Sequence, residues 1–265
     1  MIEVVSISGD ELLCLCPFPS HVDKNPSLSM NLKKDVYYCF GCEKRGRATD
    51  LVSRFGKPTL CGNVGSGDET VSARAVNDPG MNYMKKRGYT KETIASFFIS
   101  FDPEKHRVMI PIIDRSGHVW GTIGRTTIDE DPKYKYSYGL KISEVLFGIH
   151  KCPISSECIY VTEGALDAVW MHQNGFTSTV SILGSHMSDK QASMILNISR
   201  QVTLCFDNDE AGKKAAKRAF NLLKDRARVD TVVLPKEKND VQECNKEELC
   251  KVLTNSMSYL SARIT

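Results

Sequence analysis

No stretch of this sequence is apolar for long enough to cross a membrane. Every hydrophobic run falls well short of the roughly 18 to 20 residues that a membrane span requires. The N-terminus, MIEVVSI, also lacks the basic start and the long apolar segment of a secretory signal. These two absences exclude a transmembrane protein, and they predict a cytoplasmic protein with no membrane partner.

The chain also has little excess of charge of either sign, because 35 lysine and arginine residues are nearly balanced by 32 aspartate and glutamate residues, which leaves a net charge of +3. So small a surplus does not indicate nucleic-acid binding from composition alone. The chain has neither an internal repeat nor a P-loop motif, which excludes a repeat protein and a P-loop motor. Hydrophobic residues make up 41% of the 265 residues and charged residues 25%, as in an ordinary globular protein of one large or two modest domains.

Cysteine, in contrast, is plentiful, with ten residues in the chain. Without a secretory signal, this number favours a reducing compartment and argues against a disulfide scaffold. Six of the cysteines are scattered, and a buried thiol commonly acts as a small hydrophobic side chain. The other four lie close together near the N-terminus, at Cys14, Cys16, Cys39 and Cys42.

Two pairs of zinc-binding residue types occur in this N-terminal segment. Cys39 and Cys42 form a CxxC turn, and Cys16 is followed a few residues later by His21. Zinc in structural sites takes four such ligands in a tetrahedron, which predicts one structural zinc ion bound by Cys16, His21, Cys39 and Cys42. Cys14 is the alternative upstream ligand. We favour Cys16 because the turn that follows it directs it toward His21.

Changes in composition divide the chain into five segments. The first reads as short strands and turns, and the second is rich in Gly, Ser, Asp and Asn, as linkers are. A helical pattern at 81–101 precedes two apolar runs that are typical of paired strands. We therefore predict a zinc-binding domain at 1–55, a flexible linker at 56–80, a mixed, basic region at 81–157, a region of alternating strands and helices at 158–245 and a helical tail at 246–265.

The C-terminal half alternates between short apolar strands and segments of helical length. The pattern predicts strands at 158–162, 179–183, 202–206 and 230–234, and helices at 165–174, 188–198 and 210–227. Short apolar strands separated by helices are typical of a mainly parallel sheet with helices on both faces. The predicted fold class is therefore α/β in this half and α+β overall.

Three acidic residues come after predicted strands. Glu163 follows one strand, and Asp207 and Asp209 follow another, so we expect all three at the carboxyl edge of the sheet. Carboxylates that converge repel one another unless a divalent cation lies between them, and hard oxygen ligands favour Mg²⁺ or Mn²⁺. Such sites commonly act on phosphates. The alternative is that the aspartates cap the start of the following helix.

Short motifs occur in a consistent order along nearly the whole chain. The N-terminal domain contains CPF with the following His21, NPSLSM (25–30) and YYCFGC (37–42). The remainder contains YMKKRG (83–88), RVMIPIIDRSGHVWGTIGRT (107–126), PKY (132–134), LFG (146–148), EGALDAV (163–169), ILGS (182–185) and DNDEAG (207–212). In this order the motifs resemble those of the DnaG-type primases of bacteria and phages, which combine a CHC2 zinc module with a TOPRIM catalytic core.

The resemblance implies a DNA primase, a nucleotidyltransferase that makes short RNA primers from ribonucleoside triphosphates on single-stranded DNA during replication. It implies that Glu163, Asp207 and Asp209 are catalytic and metal-binding, with Asp167 and Asp240 as outer members of the Mg²⁺ or Mn²⁺ site. Whether Glu163 ligates metal, accepts a proton or does both stays open. The implied contacts with template or nucleotide are Arg107, Arg125, Lys133 and Tyr134.

Members of this family usually continue into a helical domain that docks on the replicative helicase. For this chain we therefore expect a short, phage- or mobile-element-encoded form, active in a bacterial or phage-infected cell and recruited by a separate replicative helicase. The expected cofactors are one structural Zn²⁺ and catalytic Mg²⁺ or Mn²⁺.

Two other classes of function share some of these features. One is a TOPRIM nuclease or strand-passage enzyme, which would not ordinarily carry the zinc module or the PKY region. The other is a non-catalytic, zinc-dependent single-stranded DNA-binding accessory protein, against which the intact acids argue. The basic run at 213–218 (KKAAKR) fits either nucleic-acid contact or a solvated helix face, and the sequence leaves both open.

Overall fold

The computed structural model of the chain describes residues 2–8, 11–19, 27–60 and 79–258. The chain divides into two compact units, one formed by Met1–Pro111 with Ser116–Tyr138 and the other by Ile112–Arg115 with Gly139–Thr265. In the described part of the chain, no helix is both long and apolar enough to span a bilayer.

The N-terminal sheet of the first unit has six strands. Their bounds are β1 Ile2–Ser8, β2 Glu11–Cys14, β3 Leu28–Asn31, β4 Val36–Cys39, β5 Arg45–Gly46 and β6 Pro58–Leu60, and helix α1 is Ala48–Phe55. The spatial order is β5-β4-β3-β2-β1-β6, antiparallel throughout except for the parallel pair β1 and β6. Ile2, Leu28 and Met30 share a hydrophobic core with Leu51 of α1. This module therefore has a small core of its own.

The structure corrects both ends of the linker that was predicted at 56–80. Strand β6 joins the N-terminal sheet beside β1, and the next helix begins at Pro79. Pairing with β1 satisfies backbone hydrogen-bonding groups, an advantage that the composition of the segment does not reveal. Residues 61–78 lie outside the described residues.

The second sheet of this unit has the spatial order β10-β9-β8-β7. It follows two helices, and the bounds are α2 Pro79–Lys86, α3 Lys91–Ser96, β7 Ser100–Asp102, β8 Arg107–Ile113, β9 Val119–Thr126 and β10 Tyr134–Tyr136. The two predicted apolar runs are neighbouring strands, β8 and β9. The predicted helical pattern at 81–101 is interrupted near Gly88, whose φ of 87° is a conformation that glycine adopts readily, and it ends in β7.

The second unit contains a five-stranded, mainly parallel sheet. The strands are β11 Ile159–Thr162, β12 Thr179–Ser181, β13 Gln201–Cys205, β14 Arg228–Thr231 and β15 Met257–Ser258, and the helices are α4 Ala165–Gln173, α5 Asp189–Leu196, α6 Glu210–Leu223 and α7 Lys246–Thr254. The order is β12-β11-β13-β14-β15, and only the last pair is antiparallel. Each strand and helix predicted at 158–227 is present with slightly different bounds, whereas the strand predicted at 230–234 lies earlier, at Arg228–Thr231.

Helices cover both faces of this sheet. On one face, Ile195 of α5 and Ala219 of α6 share a core with Leu204 of β13. On the opposite face, residues of α4 and α7 share a core with Cys205, the next residue of the same strand. This arrangement follows from the alternation of side chains along a strand. The predicted α/β class is confirmed.

The predicted helical tail at 246–265 is only partly helical. Helix α7 ends at Thr254, and Met257–Ser258 then forms β15, which pairs antiparallel with β14. The short strand extends the sheet, and its pairing provides hydrogen-bond partners for backbone groups at the edge of β14. Residues 259–265 lie outside the described residues.

Candidate active site and metal-binding residues

Three thiols converge in the N-terminal sheet. The Sγ atoms of Cys16, Cys39 and Cys42 all lie within 4.8 Å of one another, and those of Cys16 and Cys42 are 3.8 Å apart. Cys39 ends β4, Cys42 lies on the turn that follows, and Cys16 comes shortly after β2. Among the described residues, no other group of three His, Cys, Asp or Glu ligand atoms is packed this closely.

The surroundings of Cys39 favour its thiolate form. A hydrogen bond with Cys16 lowers the pKa of the Cys39 thiol, against the effect of burial. Ser27 Oγ, 3.2 Å from the sulfur, and the Cys42 N–H, which donates to it at 3.4 Å, lower that pKa further. The same contact with Cys39 raises the pKa of Cys16. A thiolate is the form of cysteine that binds metal.

The predicted zinc ligands are partly visible. Cys16 belongs to the thiol cluster, whereas Cys14, the alternative upstream ligand, is fully buried in the hydrophobic core of the sheet. His21 lies outside the described residues. Three of the four predicted ligands therefore stand together, and the fourth stays a prediction.

Glu163 and Asp207 lie side by side at the carboxyl edge of the parallel sheet. Strands β11 and β13 are neighbours, and Thr162 pairs with Cys205 at their ends. The backbone N–H of Asp207 donates a hydrogen bond to Glu163 Oε1 at 3.1 Å. The strand order therefore brings together two acids that are 44 positions apart in the sequence.

The other three predicted acids each accept a backbone hydrogen bond at the start of a helix or turn. Asp209 and Asp240 accept the N–H of the third residue after them, at 2.7 and 3.1 Å, and Asp167 accepts the N–H of the third residue before it, at 3.2 Å. The helix-capping alternative thus describes what Asp209 does at the start of α6. A second role at the metal site stays a prediction for all three.

Burial and neighbouring negative charge raise the pKa values of the Glu163 and Asp207 carboxyls above their ordinary range. Burial raises the pKa of Glu163 to about 7, and the charges of Asp207 and Asp209 act in the same direction. Burial also raises the pKa of Asp207 to about 6, with further contributions from Asp240, Asp209 and Glu243. Negative charge is therefore concentrated here without enough positive charge to balance it.

The donor chemistry at this edge suits a divalent cation, although no three of the described carboxylates have ligand atoms within 4.8 Å of one another. In the described part of the chain, no lysine or arginine forms an ion pair with Glu163, Asp207 or Asp209. The guanidinium of Arg218 lowers the pKa of Glu163 only weakly, and its Nη2 donates to the Ser185 carbonyl at 2.9 Å. Several carboxylate oxygens without a cationic partner are the ligands that Mg²⁺ and Mn²⁺ prefer.

Gly212, in the first turn of α6, allows this close approach. A Cβ atom at Gly212 would lie 2.2 Å from the Asp207 carbonyl oxygen and 2.9 Å from Glu163 Oε1. Only a residue without a side chain lets the helix begin directly against the acidic pair. Gly212 is thus a positioning residue for the site.

We expect Gly212→Ala to lower any metal-dependent activity by about 10-fold to 100-fold, because the added methyl group must displace the Asp207 backbone and the Glu163 carboxylate. The measurement is the catalytic rate at saturating Mg²⁺, together with the melting temperature. Ala211→Ser, at the exposed neighbouring position, is the matched control. Equal rates for the wild type and Gly212→Ala would show that the contact is not needed.

The structure reassigns Arg107, which the resemblance placed in contact with template or nucleotide. Its side chain is 2% exposed, and its guanidinium donates to the carbonyls of Gly124, Pro132 and Lys133 at 3.0, 3.1 and 3.3 Å. Because the side chain is buried, and because Glu130 Oε1 lies 3.6 Å from its Nη2, Arg107 presents no exposed charge to a ligand. Arg107 instead anchors the PKY segment to β9.

Arg125 and Tyr134 form a cation–aromatic pair in the same sheet. The Arg125 guanidinium lies 4.8 Å from the centre of the Tyr134 ring, and its Nε donates to Tyr83 Oη at 2.9 Å. Lys133 is exposed beside them. Positive charge next to aromatic rings suits single-stranded nucleic acid, so these three residues stay candidates for template contact.

Sequence reasoning missed three residues that shape the acidic site. Gly212 belongs to the DNDEAG motif, but its role depends on a carbonyl and a carboxylate that meet only in the folded chain. Glu243 raises the pKa of Asp207, and Arg218 lowers that of Glu163. An acid three positions after Asp240 was a visible signal for Glu243, whereas nothing local indicated Arg218.

Two family models match this chain. The model described as CHC2 zinc finger matches residues 4–64, and the model described as Toprim-like matches residues 160–244. The first range contains the thiol cluster and the second contains Glu163, Asp207 and Asp209.

Curated relatives of the chain are DNA primases. The DNA primase of Deinococcus radiodurans is 28% identical over 76% of this chain and 47% of its own length, and that of Escherichia coli is 25% identical over 80% of this chain and 50% of its own length. The chain spans about half the length of the curated relatives it matches.

Solved structures show the same fold. The zinc-binding and RNA polymerase domains of Aquifex aeolicus primase match with a TM-score of 0.65 and 24% identity, over 97% of this chain and 82% of that one. A DnaG primase catalytic domain bound to single-stranded DNA matches with a TM-score of 0.60 and 23% identity, over 72% of this chain and 78% of that one.

The fold and the site therefore define a two-part protein, with a CHC2-type zinc module and a Toprim-like sheet that carries clustered acids. Together with its primase relatives, this combination confirms the resemblance: the chain has the domains and the fold of a DnaG-type primase.

Proposed function

We propose that this chain is a DNA primase, which joins ribonucleotides into short RNA primers on a single-stranded DNA template. The observation that carries the proposal is the contact between Glu163 and Asp207 at the carboxyl edge of the Toprim-like sheet, with raised pKa values and no cationic side-chain partner in the described residues. Nucleotidyl transfer needs such a set of acids to gather cations around a triphosphate.

In this proposal Glu163, Asp207 and Asp209 hold Mg²⁺ or Mn²⁺, with Asp167 and Asp240 as outer acids. The bound cations would neutralise triphosphate charge and lower the pKa of the attacking 3′-hydroxyl. The chain itself orients Glu163 through the Asp207 N–H and holds α6 against the site through Gly212. Without metal, Glu163, with a pKa of about 7, is able to carry a proton at neutral pH, whereas a bound cation would favour its carboxylate form.

We propose that the thiol cluster binds one structural zinc ion, with His21 as the fourth ligand. Three sulfur atoms within 4.8 Å and a Cys39 thiol with a lowered pKa fit the tetrahedral, thiolate-rich sites that zinc occupies. A complete set of four protein ligands leaves no open position for catalysis, so this ion stabilises the module.

The proposed template contact follows from a structural neighbour and from the chemistry of the surface. One structural neighbour is a primase domain bound to single-stranded DNA, and we propose that Arg125, Lys133 and Tyr134 contact the template here. Ribonucleoside triphosphates are the proposed substrates. A cytoplasmic location, a phage or mobile-element origin and recruitment by a separate replicative helicase stay predictions from the sequence.

The test is primer synthesis by the full chain on single-stranded DNA, with labelled ribonucleotides and Mg²⁺ or Mn²⁺. We expect short RNA products from the wild type and at least about 100-fold less from Glu163→Gln, because the amide cannot replace a charged metal ligand. Glu247→Gln, an exposed acid in the first turn of α7, should keep wild-type activity. Nicking of the DNA, or DNA binding without synthesis, would contradict the proposal.

A further inference from the structure

A groove of about 950 Å³ opens beside the acidic site in the second unit. Helix α6 forms one wall, and the residues around the end of β14 form the other. Asp207 and Asn208 line it as well, so the groove reaches the acidic pair. Its floor is apolar, with the buried side chains of Phe206, Ala216 and Leu234.

Lysines line both walls of this groove. Lys213, Lys214 and Lys217 stand on α6, and Lys236 stands on the opposite wall. All four are exposed. Lys213 has a loose ion pair with Glu210 at 3.6 Å, whereas the other three form no ion pair with a described residue. We refer to this feature as the lysine groove.

The charge of the groove is therefore strongly one-sided. Four lysines face a single lining carboxylate, that of Asp207. Lysines without ion pairs are by themselves ordinary on an exposed helix face, because surface ion pairs contribute little to stability. Here the lysines instead share a concave surface with an apolar floor, which distinguishes the groove from an ordinary exposed face.

We propose that the lysine groove holds the phosphates of a nucleic-acid strand whose end is brought to the acidic site. That the bound strand is a substrate rests on the proposed primase function; that the groove binds a strand does not. Lysine side chains that track phosphates give binding that depends on charge and not on base sequence. The apolar floor and the exposed Val233 give a sugar or a base a surface to pack on.

The distribution of charge favours a strand over a single nucleotide. The three lysines of α6 span about 6 Å along the helix axis, and the fourth stands on the other wall. Only Asn208 and Thr231 offer neutral polar side chains in the lining, too few to fix a base by hydrogen bonds. Lysines that all remain in water suit a backbone that passes through an open groove.

The first test compares two triple variants of the full chain. Lys214→Gln, Lys217→Gln and Lys236→Gln together remove three groove charges and leave the Lys213 ion pair in place. The matched control removes three exposed lysines that do not line the groove, by Lys224→Gln, Lys246→Gln and Lys251→Gln. Binding of a labelled single-stranded oligonucleotide of about 16 residues is measured by fluorescence anisotropy across a salt series, without added Mg²⁺ and with zinc retained.

We expect the groove variant to bind at least about 10-fold more weakly at about 100 mM salt, and its log–log salt slope to become shallower by about 2, or about 0.7 for each lost phosphate contact. The control should change affinity by less than about 2-fold. Equal losses in the two variants, or an unchanged slope, would overturn the proposal. So would a loss of nucleoside triphosphate binding with oligonucleotide binding intact, since that result would indicate a single-nucleotide site.

A second measurement locates the strand directly. A photo-crosslinking residue at position 233, on the groove rim, should join to the oligonucleotide, whereas the same residue at the exposed Ile154 position should not. Absence of crosslinking at 233 would count against the groove whatever the affinities. Primer synthesis is assayed separately. Crosslinking at 233 without primer synthesis would contradict the proposed primase function but would still support nucleic-acid binding in the lysine groove.

Discussion

Asp207→Asn should abolish primer synthesis, with a loss of at least about 1000-fold, and should at the same time stabilise the metal-free protein. The activity is lost because a neutral amide is a poor ligand for the divalent cations that nucleotidyl transfer requires. The stability is gained because Asp207 is held among other acids, and burial together with Asp240, Asp209 and Glu243 raises its pKa to about 6.

The sign of the stability effect follows from this pKa. A carboxyl whose pKa rises on folding, here from 3.8 to about 6, favours the folded state below the unfolded value, and this contribution is lost as the pH rises through about 6. Without divalent cations at pH 8, the free energy of unfolding of Asp207→Asn should therefore be about 1 kcal/mol higher than that of the wild type. This value is smaller than the pKa shift alone would give, because solvent that reaches the site screens the charges. The difference should shrink steadily toward pH 4.

Denaturant titrations at several pH values, with and without Mg²⁺, measure this prediction. Mg²⁺ should raise the stability of the wild type at pH 8 and have much less effect on Asp207→Asn. Asp225→Asn, an exposed acid in the second unit, is the control and should show neither change. A variant that is less stable than the wild type at pH 8 would show that the carboxylate is held by favourable contacts and not by crowding.

Cys39→Ser should release the zinc ion and unfold the N-terminal sheet. Cys39 lies at the end of β4, is fully buried, and joins Cys16 and Cys42 in the thiol cluster. Zinc binding in small modules contributes on the order of 10 kcal/mol to folding, and the core of this sheet is small. Loss of one thiolate therefore removes more stability than so small a core supplies.

Two measurements follow the loss. The zinc content measured by metal analysis should fall from about one ion per chain to nearly none. Hydrogen exchange should become fast across β1 to β6 while the strands β11, β13 and β14 stay protected, because the cores around those strands lie within the second unit. Template-dependent initiation should be lost together with the fold of the zinc module.

Cys14→Ala is the matched control for this prediction. Cys14 is two positions from Cys16 but lies in the hydrophobic core of the sheet and outside the thiol cluster. It should keep its zinc and lose only the modest stability of a smaller buried side chain. If Cys16→Ser kept its zinc and Cys14→Ala lost it, Cys14 would be the zinc ligand and Cys16 would not.

The resemblance to primases could be drawn from the order of the motifs, and much of the site could be drawn from local pattern. The CxxC turn at Cys39 and Cys42 is a local feature, because two ligands on one tight turn need no other part of the chain. Glu163 and Asp207 could likewise be placed at strand ends, since apolar strands separated by helices imply a parallel sheet whose carboxyl ends share one edge.

The buried setting of Arg107 could not be predicted from the sequence, because burial is not local. The contact of Arg107 with template or nucleotide is implied by the resemblance alone. The environment of this arginine depends on the carbonyls of Gly124, Pro132 and Lys133, which come from β9 and from the loop before β10. Only the folded sheet brings these acceptors to one guanidinium.

By itself, the sequence determined the α/β character, the zinc-binding residue types and the position of candidate acids after predicted strands, because periodicity, ligand chemistry and strand-end position are properties of short segments. Tertiary structure alone decided that β11 lies beside β13, that Gly212 must lack a side chain and that the lysines of α6 face Lys236 across a groove. These features depend on distances between segments far apart in the chain, and such distances exist only after the cores of the sheet have packed.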